Sequence, residues 1–225
     1  MSSYEIEIKS LLGGKEKADK LISDMRSLDP NTKVVSENMQ LNHYFIDGDV
    51  RELYENVKDL FDARQQKKLK NIIDDGNDFS IRTREVNGEV RLVLKASIGD
   101  DTSANGVSRI EFDEPVPEMT LEDLDRILLD AGFSYQAKWS RERQEYACKG
   151  ANVCIDKNAG YGYLAEFEKV VDDKDSSDAI EREIRELMSA LSCEELAQDR
   201  LERMFAFYNE NWPDYYGTDK TFVVE

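Results

Sequence analysis

The sequence predicts an α+β protein in which eight antiparallel strands are covered by amphipathic helices. Charged and apolar residues alternate in short runs, the first of which is Tyr4–Lys9 (YEIEIK). A period of two is typical of a strand with two unlike faces. Between these runs, apolar residues recur at helical spacing. The dipeptide Asn87-Gly88 separates two of the runs and is a strong signal for a two-residue hairpin turn.

Composition excludes several classes of function. The chain has 225 residues, of which 35% are charged, and its net charge is −18. This charge disfavours an open basic face for nucleic acid and attraction to an anionic membrane. No segment resembles a signal peptide or approaches the roughly 20 apolar residues that a membrane helix needs. Because Cys148, Cys154 and Cys193 form no close pair in the sequence, we expect reduced thiols in a cytoplasmic protein.

The first half of the chain alternates between predicted strands and helices. Gly13-Gly14 ends the first strand, Asp29-Pro30 ends the first helix, and Asp47–Asp49 is a turn. The run Lys67–Lys70 fits the solvated face of the second helix or its continuation. The predicted elements are a strand over Tyr4–Lys9, a helix over Ala18–Leu28, a strand over Leu41–Ile46, a helix over Val50–Phe61, and strands over Phe79–Val86 and Glu89–Ala96.

The second half contains four more strands and a helical tail. Thr120 is placed to cap one helix and Gly132 to end it, while Ser192-x-x-Glu195 matches a capping box for another. Since no linker, repeat or low-complexity segment is present, we predict a single domain over residues 1–225 with a helical region over 176–210. The predicted elements are strands over Val107–Phe112, Gln136–Cys148, Asn152–Lys157 and Tyr163–Val171, and helices over Leu121–Leu128, Ile180–Leu191 and Ser192–Tyr208.

The polar faces of these strands carry an unusual set of charges. In an open sheet this face would meet water, whereas in a closed barrel it would line the inside. Arginine dominates the middle strands although the chain is acidic, and crowding positive charges on one surface is costly unless an anion relieves it. The charged residues assigned to these faces are Glu5, Glu7, Lys9, Arg82, Arg84, Arg91, Lys95, Arg109, Glu111, Arg141, Arg143, Asp156, Glu166 and Glu168.

The residue types on these faces suit a metal–polyphosphate complex. Arginine presents a planar fork of donors that matches phosphate oxygens, and lysine adds a point charge. Paired glutamates two residues apart on one strand face supply oxygen ligands for a hard cation such as Mg²⁺. Their joint recurrence on several strands is a stronger signal than either pair alone.

Together these residues resemble the motifs of the CYTH superfamily, the triphosphate tunnel metalloenzymes. Arg141 stands where lysine is usual, residues 50–78 look like a helical insertion, and the tail with Tyr215, Tyr216 and Lys220 does not align with the family's C-terminal plug helix. The matching segments are Glu5-x-Glu7-x-Lys9, Asn42–Phe45, Arg82-x-Arg84, Lys95, Arg109-x-Glu111, Arg141-x-Arg143 with Tyr146, Asp156, and Glu166-x-Glu168.

The resemblance implies a closed eight-stranded antiparallel barrel whose interior binds a triphosphate together with Mg²⁺ or Mn²⁺. In that reading Glu111 and Asp156 would help to hold a second metal or the attacking water, and Lys95 would join them in catalysis. The implied metal ligands are Glu5, Glu7, Glu111, Asp156, Glu166 and Glu168. The implied triphosphate ligands are Lys9, Arg82, Arg84, Lys95, Arg109, Arg141 and Arg143.

Three functions are compatible with this resemblance. The first is a metal-dependent triphosphatase acting on inorganic triphosphate, thiamine triphosphate or ATP. The second is a class IV adenylyl cyclase, and the third is a non-catalytic polyphosphate or nucleotide sensor. The first and second differ only in the nucleophile, which is water or a ribose hydroxyl. His43, Tyr44 and Phe45 are predicted to be structural, and the protein to be a monomer or a homodimer.

Overall fold

The computed structural model describes residues 4–97, 109–171 and 177–224. These residues form eight strands and six α-helices. The strands are β1 (Tyr4–Gly13), β2 (Lys33–Ile46), β3 (Asn77–Val86), β4 (Glu89–Ser97), β5 (Arg109–Pro115), β6 (Ser134–Cys148), β7 (Ala151–Asn158) and β8 (Gly162–Val171). The helices are α1 (Lys15–Leu28), α2 (Val50–Val57), α3 (Ala63–Asp75), α4 (Leu121–Asp130), α5 (Ser177–Ala190) and α6 (Gln198–Asn211).

The strands form one antiparallel sheet in the order β1-β8-β7-β6-β2-β3-β4-β5. This confirms the predicted α+β class with eight strands and amphipathic helices. Among the described residues, no ladder joins the terminal strands β1 and β5. The sheet is therefore not closed by backbone hydrogen bonds. No helix in the described ranges is long and apolar enough to cross a membrane.

Contacts divide the chain into two compact units, and one of them combines Met1–Met39 with Ser140–Glu225. In this first unit, α1 and α5 pack against β1 and β8. The side chains that alternate with the charged residues of these strands form the core, including Ile8 and Phe167, with Met25 and Ile184 from the helices. The prediction of a single domain stays a prediction.

The second unit comprises Gln40–Trp139. Its core contains Leu53 from α2, Leu69 from α3, Leu124 from α4 and Phe112 from β5. Residues 50–75 are largely helical, but the helix predicted from Val50 is split into α2 and α3. The side chain of Asp62 accepts hydrogen bonds from the backbone amides of Arg64 and Gln65, which starts α3 as a separate helix.

The structure confirms the turn predicted at Asn87-Gly88 and the helix cap predicted at Thr120, but not the capping box predicted at Ser192. Asn87 and Gly88 both have positive φ, 50° and 87°, as the predicted hairpin turn requires. Thr120 caps α4 by accepting from the amide of Asp123. The capping box predicted at Ser192 is wrong, because α6 begins only at Gln198 and its N-cap, Ala197, makes no side-chain bond.

Some strand bounds also differ from the prediction. β2 begins at Lys33, eight residues before the expected start at Leu41. The first half of this strand is largely exposed, and its apolar residues, Val34, Val35 and Met39, do not alternate with polar ones. The loop predicted over Ile98–Gly106 and the predicted strand start at Val107 lie outside the described residues.

A carboxylate, Asp125 of α4, is buried within the second unit. Asp125 is 2% exposed and contacts the only histidine in the sequence, His43, as well as Thr83 and Tyr135. His43 is 2% exposed, which is consistent with the predicted structural role. Burying a charge is costly unless hydrogen bonds satisfy it, and here three donors do so.

We expect Asp125→Asn to lower the free energy of unfolding by about 1–3 kcal/mol at neutral pH, because at least one donor loses its acceptor. Burial would raise the pKa of Asp125, but hydrogen bonds from His43, Thr83 and Tyr135 outweigh it and hold this pKa below its usual 3.8. The charged form thus contributes fully above that value and less as pH falls through the lower folded-state pKa. Urea unfolding at a series of pH values should show the difference between the two proteins narrowing in acid, and a constant difference would contradict this.

Candidate functional site

A cluster of ion pairs lies on the polar face of the first unit. Lys9 of β1 is directly opposite Glu166 of β8, and their Nζ and Oε1 atoms are 3.5 Å apart. Arg143 of β6 is opposite Asp156 of β7 and donates through Nε and Nη2 to its two oxygens at 2.7 and 2.6 Å. Arg143 also pairs with Glu166, and Arg141 donates to Asp156 at 3.1 Å. We call these five residues the first charged cluster.

Two more carboxylates extend this cluster by one cross-strand pair. Glu7 and Glu168 are direct partners in the β1–β8 ladder. Two like charges directly opposite each other on neighbouring strands repel and destabilise the sheet. Hydrogen bonds and ion pairs from nearby side chains reduce this repulsion. Lys9 pairs with Glu7, and the amide of Asn152 donates to Glu168 at 2.5 Å. Register and alternation therefore bring three predicted metal ligands, Glu7, Glu166 and Glu168, onto neighbouring positions of two strands.

The surroundings of the first charged cluster favour its charged forms. Burial would raise the pKa of Glu166, but the positive charges of Lys9, Arg143 and Arg141 outweigh it and lower this pKa. Burial opposes the charge of Arg143, but Asp156 and Glu166 raise its pKa above the usual value. Asp156 is fully buried, and both its oxygens accept from arginines. The carboxylate of Asp156 therefore orients two guanidinium groups.

A second charged cluster lies on the polar face of the second unit and centres on Arg82 of β3. Arg82 donates through Nη1 to the hydroxyl of Tyr44 at 2.6 Å, and its guanidinium lies 5.4 Å from the centre of that ring. Glu111 is 4.0 Å from Arg82 and 3.4 Å from Nζ of Lys95. The buried Nε of Arg82 has no hydrogen-bond partner among the described residues. A buried guanidinium with an unused donor is suited to an anionic ligand.

Side chains near Arg82 also bind Arg84, two residues further along β3. Arg84 donates through Nε to Asn42 at 2.9 Å and through Nη1 to Asp113 at 3.0 Å. Asp113 also accepts from Nε of Arg91 at 2.5 Å. The second charged cluster thus comprises seven residues, which are Arg82, Tyr44, Glu111, Lys95, Arg84, Asn42 and Asp113.

Three members of the second charged cluster were not predicted from the sequence as site residues. Tyr44 was expected to be a packing residue, but it binds a guanidinium. Asn42 lies two residues away on the same strand face. Asp113 continues the alternation of Arg109 and Glu111 by one more step, so extending the parity rule to the strand end would have found it.

The described residues include carboxylates of the kind that bind metal ions, but these do not converge on one point. No group of three or more His, Cys, Asp or Glu within the described ranges converges in a way that could hold a metal. Carboxylate oxygens are nevertheless the donors that Mg²⁺ and Mn²⁺ prefer. In the conformation described, Glu7 and Glu166 are paired with cationic side chains. The side chains of Glu5 and Arg109 lie outside the described part of the chain.

An antiparallel eight-stranded sheet with helices on its apolar faces and interleaved arginines and carboxylates on its polar faces defines the class of this protein. A family model described as "CYTH domain" matches residues 3–200. The chain therefore belongs to the CYTH family, whose fold is a tunnel-like barrel. Members of this family are enzymes, triphosphatases or adenylyl cyclases, and generally depend on Mg²⁺ or Mn²⁺. No curated protein matches the sequence.

Solved structures share the fold at low identity. A Vibrio parahaemolyticus protein provisionally named adenylate cyclase is 13% identical, with a TM-score of 0.59 over 92% of this chain and 99% of its own. A conserved hypothetical protein from Pyrococcus furiosus is 16% identical, with a TM-score of 0.56 over 87% and 93%. These likenesses show the fold alone. A Hippeastrum protein, provisionally named adenylyl cyclase and described as having a dominant triphosphatase activity, is 15% identical, with a TM-score of 0.49 over 90% of this chain and 95% of its own.

Proposed function

We propose that this protein is a metal-dependent triphosphatase that hydrolyses the terminal phosphoanhydride of inorganic triphosphate or of an organic triphosphate. The observation that carries the proposal is the environment of Arg82. Its guanidinium is held by the neutral hydroxyl of Tyr44 and lies at the edge of ion-pair distance from Glu111. A phosphate oxygen would supply the acceptor that its buried Nε lacks among the described residues.

The basic residues of both charged clusters would bind the phosphate oxygens. Arginine forks fix the orientation of a phosphate group, and their charge offsets the charge that develops as the bond breaks. Asp156 would keep Arg141 and Arg143 in place for this purpose. Lys95 would bind the phosphate group that is transferred and offset the charge that develops on it. The proposed phosphate ligands are Lys9, Arg82, Arg84, Lys95, Arg109, Arg141 and Arg143.

Carboxylates would hold Mg²⁺ or Mn²⁺. Glu5, Glu7, Glu166 and Glu168 are the proposed ligands, with Glu111 and Asp156 helping to hold a second ion or to orient the attacking water. When bound, the metal supplies charge neutralisation of the phosphates and a more acidic water. Glu7 and Glu166 would exchange their lysine and arginine partners for the cation as the phosphates engage those basic groups.

An adenylyl cyclase is the alternative. In a cyclase the same residues would bind the phosphates and the metal, but the nucleophile would be a ribose hydroxyl of ATP instead of water. The reaction would also require a site for the purine. The name of the Vibrio parahaemolyticus protein mentions adenylate cyclase, which makes ATP a substrate to be tested. A non-catalytic sensor would bind the triphosphate without turnover. The full set of carboxylates proposed for the metal favours an enzyme over this function.

Ligand-induced stabilisation tests the binding part of this proposal. We expect inorganic triphosphate with Mg²⁺ to raise Tm by several degrees, since a ligand at a hundredfold excess over Kd adds about 2.7 kcal/mol. Orthophosphate at equal concentration should do much less, because it reaches only part of the basic set. Arg82→Ala should weaken the triphosphate effect without lowering Tm of the free protein, since it removes a positive charge that other cations repel.

Arg126→Ala is the matched control, since Arg126 is an exposed arginine of the same unit that pairs with Asp123 one helical turn away. It should leave the triphosphate effect unchanged. Equal, small and salt-like responses to both anions in all three proteins would refute triphosphate binding by the charged clusters.

A further inference from the structure

Asp125 accepts hydrogen bonds from side chains of three neighbouring strands. Its Oδ2 atom is 2.6 Å from Nδ1 of His43 on β2, and its Oδ1 atom accepts from Oγ1 of Thr83 on β3 at 2.6 Å. The hydroxyl of Tyr135 on β6 donates to Oδ2 at 2.7 Å. Nζ of Lys138 is 3.7 Å from the same oxygen. One carboxylate from α4 therefore contacts three strands.

A charged residue is not needed to pack α4 against the sheet. The buried face of this helix otherwise consists of Leu121, Leu124 and Leu128, and a fourth apolar residue would complete that face. A buried ionised group generally gives no more stability than a well-packed apolar residue. What the carboxylate adds is directional, because its two oxygens impose a fixed geometry on the donors of different strands.

The register shows which geometry is imposed. His43 and Thr83 are direct cross-strand partners in the β2–β3 ladder, so the two oxygens of Asp125 bridge a single residue pair. The pairs on either side are Asn42 with Arg84 and Tyr44 with Arg82. Because successive side chains point to opposite faces, these flanking pairs belong to the other face of the sheet.

The flanking pairs are hydrogen-bonded in the same way on that other face. Nε of Arg84 donates to Asn42 at 2.9 Å, and Nη1 of Arg82 donates to Tyr44 at 2.6 Å. Three consecutive cross-strand pairs are therefore each bridged through their side chains, the central one by Asp125. A change in strand spacing at the central pair would shift both guanidinium groups.

We propose that Asp125 is a positioning residue which, through His43 and Thr83, fixes the guanidinium groups of Arg82 and Arg84 for triphosphate binding. This inference rests on the proposed function, since it takes those two arginines to be phosphate ligands. Asp125 itself lies on the opposite face of the sheet and does not touch the phosphates. An arginine fork binds phosphate oxygens through hydrogen bonds of fixed geometry, so a change in strand spacing that moves the two guanidinium groups would weaken triphosphate binding.

Three substitutions remove parts of the bridge. Asp125→Asn leaves one acceptor oxygen for three donors, and Thr83→Val removes a single hydroxyl with little change of shape. His43→Leu removes the ring donor, whereas His43→Gln retains an amide that can reach the carboxylate. Leu124→Ala is the matched control, because Leu124 is buried on the same helix and its truncation destabilises the core without removing a hydrogen bond.

Binding and steady-state kinetics with inorganic triphosphate separate positioning from stability. We expect Asp125→Asn to raise Kd and KM by about tenfold and Thr83→Val by about threefold, with kcat changed by less than about threefold. His43→Gln should bind more tightly than His43→Leu. Leu124→Ala should keep Kd within about twofold of the wild type even where its Tm is lower than that of Asp125→Asn. Losses of affinity that follow Tm equally in all variants would overturn the proposal.

A measurement on the ligand-free protein keeps this test independent of the proposed function. The Nε–H NMR signals of Arg82 and Arg84, assigned by their loss in Arg82→Ala and Arg84→Ala, report the order of the two guanidinium groups. We expect both signals to shift or broaden in Asp125→Asn and Thr83→Val, but not in Leu124→Ala. Unchanged signals in Asp125→Asn would overturn the positioning role. If the wild type binds no triphosphate, the proposed function fails, while these signals still decide whether Asp125 orders the arginines.

Discussion

Replacing Glu166 with Gln should lower kcat/KM for inorganic triphosphate by at least about 100-fold, the usual cost of removing one group that stabilises the transition state. Glu166 lies in the first charged cluster, beside Lys9 and Arg143. Among the proposed metal-binding glutamates whose side chains the structure describes, it is the most buried. The neutral amide retains the volume of the side chain but loses the charge that would attract the cation. Steady-state phosphate release, with Mn²⁺ binding followed by electron paramagnetic resonance, measures both effects.

The fold should survive this substitution, because Arg143 keeps its two hydrogen bonds to Asp156. Glu194→Gln is the control, since Glu194 is exposed in the turn after α5 and its substitution should change neither activity nor Mn²⁺ binding. A Glu166→Gln protein with wild-type kcat/KM and wild-type affinity for Mn²⁺ would show that Glu166 is not a metal ligand.

Replacing Arg143 with Ala should lower the free energy of unfolding by about 3–5 kcal/mol, as expected when one partner of a buried ion pair is removed. The Arg143 side chain is only 12% exposed, and that of Asp156 is 1% exposed. Without the guanidinium, Asp156 keeps only the bond from Arg141 to Oδ2, its Oδ1 loses its donor, and Glu166 loses a positive partner. Urea unfolding monitored by circular dichroism measures this loss of stability.

Arg185 provides the matched comparison, because it also pairs with two carboxylates, Glu181 and Glu195, but its side chain is 45% exposed. Arg185→Ala should cost no more than about 1 kcal/mol, since surface ion pairs contribute little. Equal losses in the two variants would mean that burial does not govern the energetics of the first charged cluster.

The division of each strand into two faces could be predicted from the sequence, because it depends only on alternation. Ile8 and Phe167 lie in the core of the first unit, and Lys9 and Glu166, one position away on each strand, carry the ion pair. The same argument gives the fold class, since apolar faces on both strands and helices can be buried only against each other.

The pairing of charges could not be predicted in this way, because a period of two does not specify which strands are neighbours or in what register. Lys9 lies opposite Glu166 because β1 and β8 are adjacent at one end of the sheet order, although they are far apart in the sequence. For the same reason, the contact of Arg84 with Asn42 and Asp113 depends on the β2–β3, β3–β4 and β4–β5 ladders.

The failed capping box illustrates a competition between local and tertiary contacts. Ser192 has a φ of 55° and follows the end of α5, so it cannot start a helix there. Glu195, the partner expected in the box, instead pairs with Arg185. A cap motif identified from four residues omits such contacts, whereas at Thr120 the local bond to Asp123 is made.

Product analysis by ³¹P NMR and chromatography tests the central claim most directly. The protein should be incubated with inorganic triphosphate, thiamine triphosphate and ATP, each with Mg²⁺ and with Mn²⁺. A triphosphatase converts inorganic triphosphate and water into one orthophosphate and one pyrophosphate, and we expect this product pair only when the metal is present. Formation of cyclic AMP and pyrophosphate from ATP would instead identify a cyclase. Binding without turnover of any of the three substrates would contradict the assignment as an enzyme.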